Sequence, residues 1–269
     1  MSASTFGDAA AYDPIVDVYD LEHAGFDDDV ALYRSLADVV GDPILELGCG
    51  SGRILLPLAE DGFRVTGLDG SPAMLARAES RANELGLSER VTLVHADVRS
   101  ADSATGGPFG LVIVGLNTLL HLPSQADQIE LLAAAQRALD PRGQLVIDVF
   151  NPTPPLLTEL SRGVTHEGAW AHPQGGTVDK WSSRELIASD QRLETTIWYD
   201  HMLPDHSLHR NRSSFELRYV HFAELALMLQ AAGFVEWRAY GGYDLEPFDD
   251  GSERMVVTAE VTASASSEQ

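Results

Sequence analysis

The run from Ile44 to Asp69, ILELGCGSGRILLPLAEDGFRVTGLD, constrains this chain more than any other stretch. Glycine loses more backbone freedom on folding than any other residue, so Gly48, Gly50 and Gly52 at alternate positions need a structural reason. They stand between an apolar run that reads as a strand and an amphipathic run that reads as a helix. Such a turn aims the unpaired N–H groups of a helix N-terminus into one small space, where a ligand can lie directly on the backbone. A dinucleotide fold favours G-x-G-x-x-G with an acidic residue about twenty positions on. Here the order is G-x-G-x-G, and bulky Arg53 stands where the third dinucleotide glycine would fall. Glu46, in the strand end before the turn, would repel a pyrophosphate but attract an ammonium, or hold the turn through backbone N–H groups. Together these residues favour a zwitterionic, cationic cofactor over a phosphate-bearing one. A tight turn with no ligand is the plain alternative.

Apolar runs and helical patterns alternate through most of the chain, the pattern of a parallel sheet with covering helices. Strands are expected at Ile44 to Leu47, Arg64 to Asp69, Val91 to His95, Leu111 to Gly115 and Gln144 to Phe150. They are apolar almost throughout, as strands covered on both faces must be. Ser71-Pro72 opens a helix to about Leu85, and Ser124 precedes one through Leu139 that Asp140-Pro141-Arg142-Gly143 stops. A short helix is expected over Arg53 to Glu60. After Phe150, Asn151-Pro152-Thr153-Pro154-Pro155 breaks the rhythm. Thr177 to Ala188, Leu193 to Met202 and Leu208 to Val220 read as inserted antiparallel strands, a small cover sheet. A helix over Phe222 to Ala232 and a closing strand pair, Val235 to Tyr240 and Arg254 to Val261, finish the main sheet. The tail SASSEQ reads as disordered.

With 269 residues and a mean hydropathy of −0.08, the chain can bury a substantial core. No apolar run approaches the ~20 residues of a membrane helix, and MSASTFGDAAAYDP has no basic region before an apolar stretch, so no membrane association and a cytoplasmic location are expected. Cys49 is the single cysteine, which excludes an intrachain disulfide and a cysteine-built zinc site. His201, His206 and His209 straddle a Pro-Asp turn without a carboxylate set, which reads as a solvated loop, and no metal site is expected. The net charge of −23 argues against nucleic acid as a partner. Seventeen of the eighteen basic residues are arginine. A high-salt cytoplasm and a GC-rich genome would each give that bias, and both readings stay open.

Glu46-Leu47-Gly48-Cys49-Gly50-Ser51-Gly52 resembles the first motif of the class I S-adenosylmethionine-dependent methyltransferases, and later motifs follow in the same order. The resemblance implies a Rossmann-like seven-stranded, mostly parallel sheet with helices on both faces, an N-terminal helical cap and an inserted antiparallel cover. It implies S-adenosylmethionine as cofactor and S-adenosylhomocysteine as product. Asp69 in GLDGSPAML would take the ribose hydroxyls, with Gly70 and Met74 beside it. Asp97 in HADVRS would take the adenine amino group, with Val98 against the ring. LVIVGLNTLLHL resembles the substrate-side motif after the fourth strand. The remainder resembles the bacterial and archaeal small-molecule branch that includes sugar amine and glycine N-methyltransferases. The expected division is a cap over residues 1–36, a cofactor-binding core over 37–155, a cover over 156–220, completion of the core over 221–262 and a tail over 263–269.

Individual residues carry the expected site. Gly48, Cys49, Gly50, Gly52 and Arg53 would surround the methionine end of the cofactor, with Cys49 a small filler and not a nucleophile. Asn117 and His121 interrupt an apolar run near the C-terminal edge of the sheet, where α/β folds bind ligands. His121 would take a proton from the acceptor or orient it, and Asn117 would bound the same space. Tyr19 in the cap is expected to touch the cofactor. Tyr12, Trp181, Arg218 and Tyr243 are the candidate substrate walls. The expected activity is methyl transfer to an amine or hydroxyl of a small metabolite by a monomer or homodimer. An NAD(P)-dependent oxidoreductase and a protein-directed methyltransferase are the alternatives.

Overall fold

The computed structural model describes residues 9–262, so residues 1–8 and the expected tail over 263–269 lie outside the described residues. Seven strands form the main sheet: β1 (Ile44–Leu47), β2 (Val65–Asp69), β3 (Val91–His95), β4 (Phe109–Val114), β5 (Leu139–Phe150), β10 (Glu236–Tyr240) and β11 (Arg254–Glu260), in the order β10-β11-β5-β4-β1-β2-β3. β11 runs antiparallel to both β5 and β10, and the other pairings are parallel. This is the Rossmann-like arrangement expected from the sequence. β1 is buried along its whole length and β4 at every residue but Gly110, because helices cover both faces. One face packs α6 (Gln125–Ala138) and α8 (Phe222–Ala232) through residues such as Leu131, Leu132, Leu225 and Leu229. The other packs α2 (Asp28–Val40), α3 (Leu55–Glu60) and α4 (Pro72–Glu84) through Tyr33, Leu55, Leu58 and Leu75.

Helix boundaries follow local chemistry. Ser71 Oγ accepts the Met74 amide at 3.1 Å ahead of Pro72, and Ser124 caps α6 through the Asp127 amide at 3.1 Å. Two expectations move. The helix after the glycine turn begins at Leu55, because residues 51–54 are still turn. β5 begins at Leu139 and not at Gln144: Phe109 pairs with Leu139 and Leu111 with Gln144, so Asp140–Gly143 is accommodated as a bulge inside the strand. A short helix, α5 (Ala101–Thr105), links β3 to β4.

The second sheet has four antiparallel strands in sequential order, β6 (Val164–Ala171), β7 (Thr177–Ile187), β8 (Arg192–Met202) and β9 (Leu208–Arg218). β6 and the preceding α7 (Pro154–Leu160) are additions to the sequence reading. One face of this sheet packs Val178, Ile197 and Tyr199 against a 3-10 turn over Ala9–Ile15 and the helix α1 (Val16–His23). Among the described residues, no helix is long and apolar enough to cross a membrane.

Candidate functional site

β1 and β4 are neighbours in the sheet although β2 and β3 separate them in the chain. The connections leave in opposite directions there, and such a switch point opens a crevice at the strand ends. Gly48, Gly50 and Gly52 all have positive φ, at 73°, 51° and 82°. A Cβ on Gly48 would come within 2.6 Å of Thr118 Cγ2, so the turns after β1 and β4 touch only because residue 48 has no side chain. At Gly50 the Cβ direction is open, and its N–H donates to Asp69 Oδ2 at 2.8 Å. Asp69 Oδ1 accepts from Ser71 N at 2.7 Å. Burial raises the Asp69 pKa against the pull of these backbone donors.

The crevice is a cavity floored by Gly48, Cys49, Gly50 and Glu46. Glu46 is 4% exposed, and its Oε2 has no hydrogen-bond partner among the described residues. Burial pushes its carboxyl well above the usual carboxylate range. Arg53 also lines the cavity, yet its guanidinium is committed to Asp29 of α2 and the Phe26 carbonyl. Cys49 is buried, and burial pushes its thiol well above its ordinary value, as befits a filler. Gly70, Met74, Asp97 and Val98 form the far wall. Burial would raise the Asp97 pKa, but hydrogen bonds from Arg99 outweigh it and hold the carboxyl low.

The cap closes the cavity with Tyr12 and Tyr19, whose rings meet edge to face at 5.8 Å. Tyr12 reaches His121: its hydroxyl lies 3.1 Å from Nε2, and Phe215 of β9 stacks on Tyr12 and tilts against the imidazole at 5.1 Å. The other ring nitrogen, Nδ1, is buried with no partner among the described residues. Burial alone pushes the His121 pKa down to about 4. His121 also lines a second cavity against the cover sheet, where Arg184, Thr195 and Phe215 of one face meet Glu185, Glu194 and Glu216 of the other. It is the residue that the two cavities share.

Several expected residues lie elsewhere. Gly52 is not in the cavity wall: a Cβ there would sit 3.0 Å from Leu56 Cγ, so this glycine serves turn packing. Asn117 is turned away, its Oδ1 accepting the Phe150 amide at 2.8 Å, because a left-handed residue at φ 66° directs its side chain to the β5 end. Trp181 packs tilted against His166, ring centroids 4.6 Å apart, and does not line the second cavity. Arg218 is spent on Gln128 and Glu224. Tyr243 donates to Asp148 at 2.9 Å and faces a third cavity. Ser51, Gly115, Leu116 and Thr118 join the first cavity without having been singled out as contacts, since they enter by their place in turns and not by side-chain chemistry. No group of three or more His, Cys, Asp or Glu able to hold a metal lies among the described residues.

Known proteins place this arrangement. Residues 44–143 match the model of a methyltransferase domain. The chain spans 56% of the length of one curated relative at 33% identity. It spans 88% of another, the cypemycin N-terminal methyltransferase of a Streptomyces species, at 26% identity over 86% of this chain. The solved structure of the CcbJ methyltransferase from Streptomyces caelestis superposes with a TM-score of 0.76 at 26% identity, over 96% of this chain and 100% of that one. An amino pentose methyltransferase from Micromonospora echinaspora, solved with S-adenosylmethionine bound, shares the fold with a TM-score of 0.66 at 22% identity, over 97% and 99% of the two chains.

Proposed function

We propose that this chain, which has the domain and fold of a class I S-adenosylmethionine-dependent methyltransferase, transfers the methyl group to a neutral amine nitrogen of a small-molecule acceptor. The donor's cationic, zwitterionic end fits the first cavity. Glu46 Oε2, buried and without a partner among the described residues, would receive the ammonium, and the open side of Gly50 leaves room for backbone contact. Asp69 keeps lone pairs beyond its two backbone donors for the ribose hydroxyls. Asp97 and Val98 stand for the adenine end, with Met74 and Gly70 between. Tyr19 would close this cavity from the cap. When bound, the donor supplies an electrophilic methyl on a positive sulfur.

The second cavity is the acceptor's place in this reading, with Tyr12, Phe215 and His121 at the boundary. The chain's own work there is alignment and exclusion of water. One feature favours nitrogen over oxygen: burial pushes the His121 pKa down to about 4, and its Nδ1 has no partner among the described residues, so no carboxylate there raises its basicity. Such an imidazole is far too weak to deprotonate a hydroxyl, but it can orient an amine that arrives neutral. Matched amine and hydroxyl acceptors, followed by homocysteine release, test this. Amine rates should rise with the neutral fraction of the acceptor, and hydroxyl analogues should be at least about a hundredfold slower. Equal rates for the two classes would defeat the reading. Asp69→Ala should abolish calorimetric binding of the donor, whereas His121→Ala should spare it and lower turnover.

A further inference from the structure

Glu46 is buried at the floor of the first cavity, and its Oε2 meets no hydrogen-bond partner among the described residues. It projects from the face of β1 that packs beneath α2 and α3: Ile44, two positions earlier on the strand, belongs to that apolar cluster, and so does Ile113 of β4, the register partner of Glu46. An ionised carboxylate in such surroundings needs a cation or several donors of its own.

The neighbouring elements do not supply them. Arg53, in the turn, donates to both oxygens of the fully buried Asp29 of α2 and to the Phe26 carbonyl, so its charge is matched before Glu46 is counted. Asp69, at the end of β2, is a further carboxylate, and the Leu55 amide at the start of α3 is a single donor. Tyr33 of α2 does not donate to Glu46, because its hydroxyl is buried with no hydrogen-bond partner among the described residues. Burial raises the Tyr33 and Tyr19 hydroxyls and the Cys49 thiol above their ordinary values, so all three stay neutral. Ionised, Glu46 would be the third carboxylate around one guanidinium.

We propose that Glu46 selects the amino-acid end of the donor by a change of charge: it is a neutral carboxylic acid in the free protein and ionises only when an ammonium reaches Oε2. The inference rests on the reading that Glu46 receives that ammonium. The exchange balances: the carboxyl O–H bond breaks, the proton leaves to the buffer, and the carboxylate remains against the ammonium with no covalent bond made. Burial holds the carboxyl well above the usual carboxylate range, in keeping with a proton that stays on until a cation arrives. Donor binding is therefore linked to pH, and it tightens as pH rises because a proton is a product of binding. A ligand with no ammonium gives Glu46 no reason to ionise.

Titration calorimetry of the full chain with S-adenosylhomocysteine at about pH 6, repeated in buffers of different ionisation enthalpy, counts the protons; the ligand's own amine is already charged there. About half a proton or more should be released per ligand bound, and Kd should tighten about threefold or more from pH 6 to pH 7. Methylthioadenosine, which keeps the adenosine and the thioether but lacks the amino-acid end, should release less than about a tenth of a proton. Glu46→Gln, isosteric and permanently neutral, should bind S-adenosylhomocysteine about tenfold more weakly, with no release and a Kd that is flat over the same range. The wild-type counts with the two ligands need no variant, so they stand even if Glu46→Gln folds poorly. A smaller release from the wild type, an equal release with both ligands, or a release that Glu46→Gln retains and that would then belong to Asp69, overturns the proposal. Binding of S-adenosylhomocysteine without proton release defeats this inference alone, whereas no binding of either ligand defeats the donor site along with it.

Discussion

At His121 burial has a measurable consequence for stability. Its folded pKa, about 4, lies below the unfolded 6.5, so between these values the unfolded chain binds the extra proton. The contribution of the neutral ring is therefore complete above pH 6.5 and is lost as pH falls toward 4, by about 3 kcal/mol in all. His121→Leu should remove that slope: urea unfolding at pH 7 and pH 4.5 should show the variant gaining on the wild type by most of this amount. A stability difference that stays constant over the range would mean the ring protonates freely in the folded protein. The position of His121 was legible from the sequence as a polar residue in an apolar run at a strand end. Its pairing with Tyr12 and Phe215 was not, because those residues are more than ninety positions away and meet only when the cap and cover fold over the crevice.

Among elements, the turn after β4 is the one whose role the sequence misassigned. Leu116 and Asn117 have φ of 44° and 66°, conformations costly for residues other than glycine. They are held from beneath by β5: Asp148 Oδ2 accepts the Leu116 amide at 3.2 Å, and the Asn117 side chain caps Phe150 N. Arg254 and Tyr243 in turn hold Asp148. Asn117→Asp keeps both the left-handed tolerance and the acceptor, Asn117→Gly keeps only the first, and Asn117→Val keeps neither. Urea midpoints should fall in that order, with Gly costing about 1–2 kcal/mol and Val about 2–4 kcal/mol. Near wild-type turnover in Asn117→Asp is expected, and a collapse of turnover with stability intact would return Asn117 to the chemistry. A buried Asp148 within an apolar strand was the signal available in the sequence. The central strands were readable because burial on both faces makes them continuous apolar runs. β6 escaped because its residues are mostly exposed on an edge strand, and α7 because Pro154 and Pro155, which open it, also look like a break.

For the whole molecule, the question is what fastens the cap. Lys180, the chain's single lysine, is 8% exposed and joins Glu22 of α1 at 2.5 Å to Glu167 of β6 at 2.9 Å, while the Tyr199 hydroxyl donates to Glu22 at 2.6 Å. Burial would raise the Glu167 pKa, but Lys180 and its neighbours outweigh it and bring it down to about 2. Its contribution to stability is accordingly present above pH 4.5 and lost as pH falls toward 2. Across the cap, Asp13 accepts from Ser71 and Asp20 from Ser51 and Arg77, so the segment bearing Tyr12 and Tyr19 is tied to both sheets. Lys180→Met leaves Glu22 without its cation while Glu167 keeps Arg184 at 2.6 Å, and breaking such a buried pair costs about 3 kcal/mol. The expected result is a melting temperature lower by roughly 6–12 °C, and donor dissociation faster by roughly tenfold because the cap opens more readily. Lys180→Arg should recover much of both, and Lys180→Met with Glu22→Gln should recover stability by removing the stranded charge. If the Met variant melts lower but releases the donor at the wild-type rate, Lys180 stabilises the cover alone, and the ties to Ser51 and Ser71 are what keep the cap shut.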